Sequence, residues 1–402
     1  MLSELEAAIS QYLIGSFPDF NLEIDLNPLV NHAGAHLSSD VIFRYARVSK
    51  KNPKDIASDL AGFESDDYRV SFVDSYCNVW LKNIPAGEKF YNEKLLNLES
   101  DALNIIVPLV RNNSSQSQLC RSVATAFVHF QIAKSAGLNP QLSFVTEGKT
   151  YSLSDLSKLD LKWLQSTLSV AKDLPATSLV SKIVSSKLTG AWNVIFLSLG
   201  QLSKTEFSEF YRNDILNESK VSYQQATARW STGLDPELVL AMCTAETSER
   251  FLQICWYLAR MDKADQLFLA EAFLPQKNNL NWYITTLHSR IAGLRDQIFS
   301  KLENAQDSYI VADLADNQQK ILLDQYFWEY YVIQAVCAGN VQAVLAMICN
   351  HLDSFNVYYN NPIFRLSLES GSLAPVDWEI LSGVLERLYS MLGANYGKEM
   401  AI

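Results

Sequence analysis

The stretch "NIIVPLVRNNSSQSQLCRSVATAFVHFQIAKSAGLNPQLSFV", Asn104 to Val145, decides how the middle of the chain folds. It opens and closes on short apolar runs, and between them lies a polar loop followed by a long helical pattern. Strand, crossover helix and strand make a βαβ unit, so the two strands are expected to lie parallel. A later run, "AWNVIFLSLGQ", reads as a further buried strand. The junction between first strand and helix is where an α/β protein usually holds a phosphate, on glycines and free helix amides. Here it reads "RNNSSQSQLCRS", without a glycine, and neither GxxxxGK[ST] nor GxGxxG occurs anywhere in the chain.

Working outward, the segment to about Pro85 reads as a small α+β unit. It begins with an amphipathic helix, "LSELEAAISQYL", and a strand is expected in "NLEIDL". A helix follows from about Ser38, and in "NPKDIASDLAGF" Asn52 is the expected cap with Pro53 in the first turn. The β-branched and aromatic residues of "YRVSFVDSYCNVWLKN" predict one or two strands. From "DPELVLAMC" onward nearly everything has helical periodicity, ending in "DWEILSGVLERLYSMLG", which predicts a C-terminal helix bundle. The fold class is therefore α+β to mainly α in three parts: 1–85, 86–279 and 280–402.

Composition narrows the function. Of 402 residues, 48% are hydrophobic and only 15 are glycine and 11 proline, which favours long helices over turn-rich β architectures. The apolar runs "VLAMIC" and "VIFLSLG" fall short of the roughly 18 residues that cross a bilayer. The start lacks a basic leader, so a cytoplasmic location is expected. Six cysteines form no CxxC pair, and "HAGAH", with His32 and His36 around Gly34, reads as a loop and not a metal site. A formal net charge of -11 argues against broad phosphate binding but leaves room for a local patch. One such patch is "RYARVSKKNPK", with Arg44, Arg47, Lys50, Lys51 and Lys54.

In "NWYITTLHSRIAG", Asn281 to Gly293, Tyr283, Leu287 and Arg290 share one helical stripe. "YITTLHSRI" resembles the Y-V-Q-Y-A-H-A-R-I segment that begins the DALR anticodon-binding domain of arginyl-tRNA synthetases, keeping Tyr283, His288 and Arg290. "FNVYYNNPI" is similar to the family's F-x-x-F-Y-x-x-x-x-V, and "LGANYGKEM" to its L-G-I-x-A-P-E-R-M ending, with Met400 at the terminal Met. "KNPKDIASDL" and "SYCNVWL" resemble segments of the family's N-terminal additional domain, which helps grip the corner of the tRNA. Where that domain has D-Y-Q-x-N, this chain has His36, Leu37, Ser38, Ser39 and Asp40.

The middle resembles the Rossmann-like class I catalytic fold, with the H-V-G-H signature replaced by Gln116, Ser117, Gln118 and Leu119. Those histidines and that glycine handle ATP in the family, and Gln and Leu do not stabilise charge developing on a phosphate in the same way. The resemblance therefore implies a catalytically degenerate paralogue that is not an enzyme, holds no cofactor or metal and binds tRNA. Its RNA-binding residues would be Tyr283, His288, Arg290, Phe355, Tyr358, Tyr359, Trp378 and Met400 at one end, and Arg44, Arg47, Lys50 and Lys51 at the other. A second reading makes it an interaction module for a protein such as a tRNA-modifying enzyme, with the aromatic string "DQYFWEYY" as the anchor.

Overall fold

The computed structural model describes residues 2–29, 34–86, 90, 103–109, 116–146, 150–155, 158–170, 192–197, 220–225, 240–242, 244–258, 280–302, 308–337 and 341–391. Helices predominate, and the chain divides into two compact units. Unit 1 takes in Met1–Leu96, Arg295–Tyr331 and Asp353–Val384, and unit 2 takes in Asn97–Leu294, Val332–Leu352 and Leu385–Ile402.

Unit 1 begins with helix α1, Leu2–Ser16, whose Leu5, Ile9 and Leu13 are buried at helical spacing. No strand forms in "NLEIDL": the Leu26 amide is bonded at 3.2 Å to the Glu6 side chain instead of a ladder, and pairing starts only at β1, Asn27–Pro28. Helix α2, Val41–Ser49, ends on Lys50 in the left-handed conformation (φ 55°). Helix α3, Pro53–Ser58, starts as its sequence predicts, with Asn52 Oδ1 accepting from the Lys54 amide at 3.0 Å.

Five strands make an antiparallel sheet in the order β1-β2-β5-β4-β3, with β2 at Leu37–Ser39, β3 at Phe63–Glu64, β4 at Tyr68–Val73 and β5 at Tyr76–Leu81. Asp74 and Ser75, at φ 52° and 66°, form the two-residue turn between β4 and β5. Positive φ at both central positions matches the right-handed twist of a hairpin, so "YRVSFVDSYCNVWL" is two strands. One face of the sheet is covered: Val70, Phe72, Cys77, Val79 and Leu81 are buried, and Tyr12 of α1 stacks on Phe72 at 5.7 Å. Gly62 lets β3 come close, since a Cβ there would sit 2.7 Å from the Val70 carbonyl.

A second sheet in unit 1 joins distant segments: β6, Asn83–Pro85, pairs antiparallel with β12, Ser308–Ile310. Around them lie α8 (Arg295–Leu302), α9 (Asp316–Tyr326), the start of α10 (Trp328–Cys337), the end of α11 (Val341–Tyr359), α12 (Pro362–Ser370) and most of α13 (Pro375–Met391).

In unit 2, β7 (Leu103–Pro108), helix α4 (Gln116–Ser135) and β8 (Pro140–Val145) realise the predicted strand, helix, strand, and β7 and β8 are parallel in register Leu103↔Pro140. The sheet order is β11-β10-β7-β8-β9, with β10 (Trp192–Leu197) and β11 (Lys220–Gln225) parallel and β9 (Thr150–Leu153) antiparallel at the edge. "AWNVIFLSLGQ" thus supplies β10 beside β7, as expected for a buried strand. Helix α4 is buried on all sides from Val123 to Ala133, including Thr125, His129 and Gln131. It packs on α6, Ser248–Leu258, through Phe127 and Phe251 at 5.1 Å. Helix α5, Leu161–Val170, and helix α7, Leu280–Ala292, complete the described helices of this unit's middle part.

Candidate nucleic-acid interface

Alternation along a strand assigns its side chains to two faces, so the covered face of the N-terminal sheet fixes what the other one shows. Across β4 and β5 the outward residues pair as Arg69↔Trp80, Ser71↔Asn78 and Val73↔Tyr76. Trp80 is half-buried and carries the Arg69 guanidinium over its ring at 4.5 Å. Tyr76 is 44% exposed. Between them Asn78 accepts a 3.0 Å hydrogen bond from Ser38 on β2. Two aromatics four residues apart on one strand stand about 13 Å from each other, with amide and hydroxyl groups between. Such a surface suits unstacked bases, which offer a π-face for stacking and polar edges for hydrogen bonding.

Helix α2 borders this platform. Its Phe43 meets Tyr76 edge-on at 5.1 Å, and one turn further on Arg47 and then Lys50 are exposed. The four cations of this patch expected to meet RNA differ in availability. Arg44 is tied down: Nε bonds Asp40 at 2.9 Å, another nitrogen donates to the Glu23 carbonyl at 2.9 Å, and Asp25 lies at 3.7 Å. Lys51 lies over the Phe17 ring at 5.7 Å. Arg47 and Lys50 project into solvent.

The helical candidates occupy different surroundings. Phe355, Tyr358, Tyr359 and Trp378 are at most 5% exposed. Phe364 packs on Tyr358 at 4.6 Å and on Tyr359 at 5.6 Å. The Tyr358 hydroxyl donates to the buried Asp377 carboxylate, which also accepts from Gln318 at 2.6 Å and from the Ala374 amide at 3.0 Å. Burial first, then the Asp377 charge, drives the Tyr358 phenol far above its ordinary pKa, so it stays a donor. Asp377 thereby joins α9, α11 and α13. Packed in this way, the four rings build the core of unit 1, and a base could stack on them only after that core opened.

Tyr283 on α7 is also buried, against Trp282 at 4.9 Å, and His288 meets Tyr389 edge-on at 4.7 Å. Arg290 is exposed at the end of the same helix. Met400 and His32 lie outside the described residues. The string "DQYFWEYY" goes inward on every side because a second layer covers it: Phe90 packs on Tyr326, Phe327 and Tyr330 at 5.7, 4.9 and 5.8 Å. His36 is buried as well, its Nδ1 accepting from the Leu81 amide at 2.9 Å. Its Nε2 lies 3.3 Å from the Gln319 side-chain nitrogen.

Gln116 to Leu119 form the first turn of α4, with Leu119 buried. Among the described residues no group of three or more His, Cys, Asp or Glu side chains could hold a metal ion, and no helix is long and apolar enough to cross a membrane.

The chain combines a mostly parallel sheet and its crossover helix with helices at both ends. The solved structure of Thermus thermophilus arginyl-tRNA synthetase is similar to this chain with a TM-score of 0.52 at 10% sequence identity, over 98% of each chain. No protein-family model matches the sequence, and no curated protein matches it. The similarity thus lies in the fold, which is arginyl-tRNA synthetase-like. It also corrects the expectation that the chain is not an enzyme. Its structural neighbour is one, and the exchange of histidines for Gln116 to Leu119 is a difference of residues that does not show activity to be lost.

Proposed function

We propose that this protein binds tRNA, and that the outer face of the N-terminal sheet is its principal contact. What supports the reading most is the set Tyr76, Asn78 and Trp80 on one open strand face, with Arg69 on Trp80 and Arg47 and Lys50 beside it. The similarity to a tRNA synthetase over nearly the whole chain agrees with a folded RNA as the ligand. In this reading residues 1–85 hold the corner of the tRNA, 86–279 form the Rossmann-like middle, and 280–402 carry the anticodon-proximal contact through Arg290. Tyr76 and Trp80 stack on bases exposed in loops, while Asn78 and Ser38 bond to their edges. Arg47 and Lys50 meet phosphates.

Binding of bulk tRNA to the full chain, followed by fluorescence anisotropy across a salt series, tests this. Affinity is expected to fall as salt rises, with a shallow slope because few phosphates are neutralised. Absence of binding at low salt would overturn the reading. The aromatic string first offered as a protein anchor is core, so a protein-docking function draws no support from it.

A further inference from the structure

We infer that the outer face of helix α12 is a self-association surface, on which a second copy of the chain docks with its own α12 running antiparallel.

The helix is well built at both ends. Asn361 caps it by accepting from the Ile363 amide at 2.9 Å, Pro362 follows in the first turn, and Gly371 at φ 70° closes it. Ser372 donates back to the Ser367 carbonyl at 2.8 Å. Its inner side is anchored by Phe364 between Tyr358 and Tyr359. Exposure of its other side is thus not the fraying of a loose helix end. Yet Ile363 is 75% and Leu366 66% exposed, as is Val357 (72%) on the last turns of α11.

Helical geometry orders that outer face. Pro362 and Leu366 lie at its centre, Ile363 and Ser370 on one flank, and Arg365 and Glu369 on the other. The Ser370 hydroxyl is already bonded to the Leu366 carbonyl at 2.9 Å, so its flank makes little polar demand. Arg365 lies over the Tyr359 ring at 5.2 Å, and neither it nor Glu369 forms an ion pair among the described residues. Antiparallel pairing about a two-fold axis brings like flank to like flank in reversed order. Arg365 then faces Glu369 of the partner subunit, and the reciprocal pair forms at the same time, with the two Leu366 side chains packed together at the centre. A parallel two-fold pair would instead set the Arg365 and Glu369 flank of one copy against the Ile363 and Ser370 flank of the other, leaving the charges without a complement. Glu369 beside the apolar stripe also disfavours a phosphate backbone there, which points to protein and not RNA as the occupant.

A nine-residue helix buries less than the roughly 1,200 Å² of a stable standard interface, so the dimer is weak and appears at high concentration. Sedimentation of the full chain over a concentration series reads it directly. The mass is expected to rise from 45.3 kDa toward twice that value, and Leu366→Asp to hold it at 45.3 kDa throughout. R365E and E369R should each weaken association about tenfold, and the double variant R365E/E369R should restore it to within about threefold of the original. All three substitutions lie on exposed positions, and unchanged thermal melts will show that each variant folds. A mass of 45.3 kDa at every concentration, a dimer that survives Leu366→Asp, or a double variant no better than the single ones would each overturn the proposal. So would loss of tRNA binding in Leu366→Asp with the parent chain monomeric, since the face would then serve RNA.

Discussion

Unit 1 holds two aromatic-rich regions that behave in opposite ways. On the outer face of the N-terminal sheet, Tyr76 and Trp80 stay accessible next to Asn78 and Arg69. In the cluster of α9, α11 and α13, the more numerous rings of Tyr326, Phe327, Phe355, Tyr358, Tyr359 and Trp378 are all buried. Richness in aromatics therefore says little about recognition, and the number of covering layers says a great deal. A sheet with one helical layer keeps a free side, whereas a helix ringed by aromatics needs cover all round.

Breaking the open side should give the largest effect. Replacing Tyr76 and Trp80 together by Ala removes two stacking positions, each worth about 1–3 kcal/mol, so tRNA affinity should fall at least tenfold with the fold retained. Unchanged affinity would erase the functional half of the contrast. On the buried side, Tyr358→Phe strips a donor from the Asp377 knot and should cost about 1–3 kcal/mol of stability, seen as a lower melting temperature, while tRNA affinity stays the same. Lys50→Glu tests the border of the platform: weaker binding, with the salt slope reduced by about 1, is expected if it meets a phosphate. Ser75→Gly relieves a left-handed turn residue and should stabilise the hairpin by about 0.5–1 kcal/mol, visible in denaturant melts.

The smallest effect concerns pH. Tyr45 donates to Asp19 at 2.6 Å, which lowers the Asp19 pKa and, with burial, raises that of Tyr45 to about 12. The bond stabilises the fold while the carboxylate is charged and the phenol neutral. Its contribution fades as pH falls through the lowered Asp19 value, and again as pH rises from about 10 to about 12. A Tyr45→Phe variant should melt below the parent at neutral pH, and the gap should close at both extremes.

Much of this fold is legible in the sequence because its signals are local. Asn52-Pro53 announces a helix start, and the apolar runs around α4 announce parallel strands. "NLEIDL" misleads because alternation alone does not reveal that Glu6 takes the Leu26 amide. For the site, the cations of α2 stand out as a charge run, but which of them is spoken for depends on Asp25 and Glu23, brought in from another segment. Trp80 escapes notice for a similar reason. Period-2 alternation divides Tyr76, Asn78 and Trp80 from Cys77, Val79 and Leu81, but only the packing of α1 shows which set faces water. The reverse error falls on Tyr358 and Trp378, whose cover comes from elements far away in the chain.

The pairing of β6 with β12 also bears on how the protein is made. Their partners Pro85 and Ser308 are more than two hundred residues apart, and Phe90 waits for Tyr326 and Phe327 in the same way. At about 5–20 residues per second on the ribosome, the emerging amino-terminal segment stands incomplete for roughly 10–45 s before its complement arrives. During that interval the apolar underside of Ile84 and Phe90 is a target for chaperones, and contact order this high makes closure a slow step of maturation.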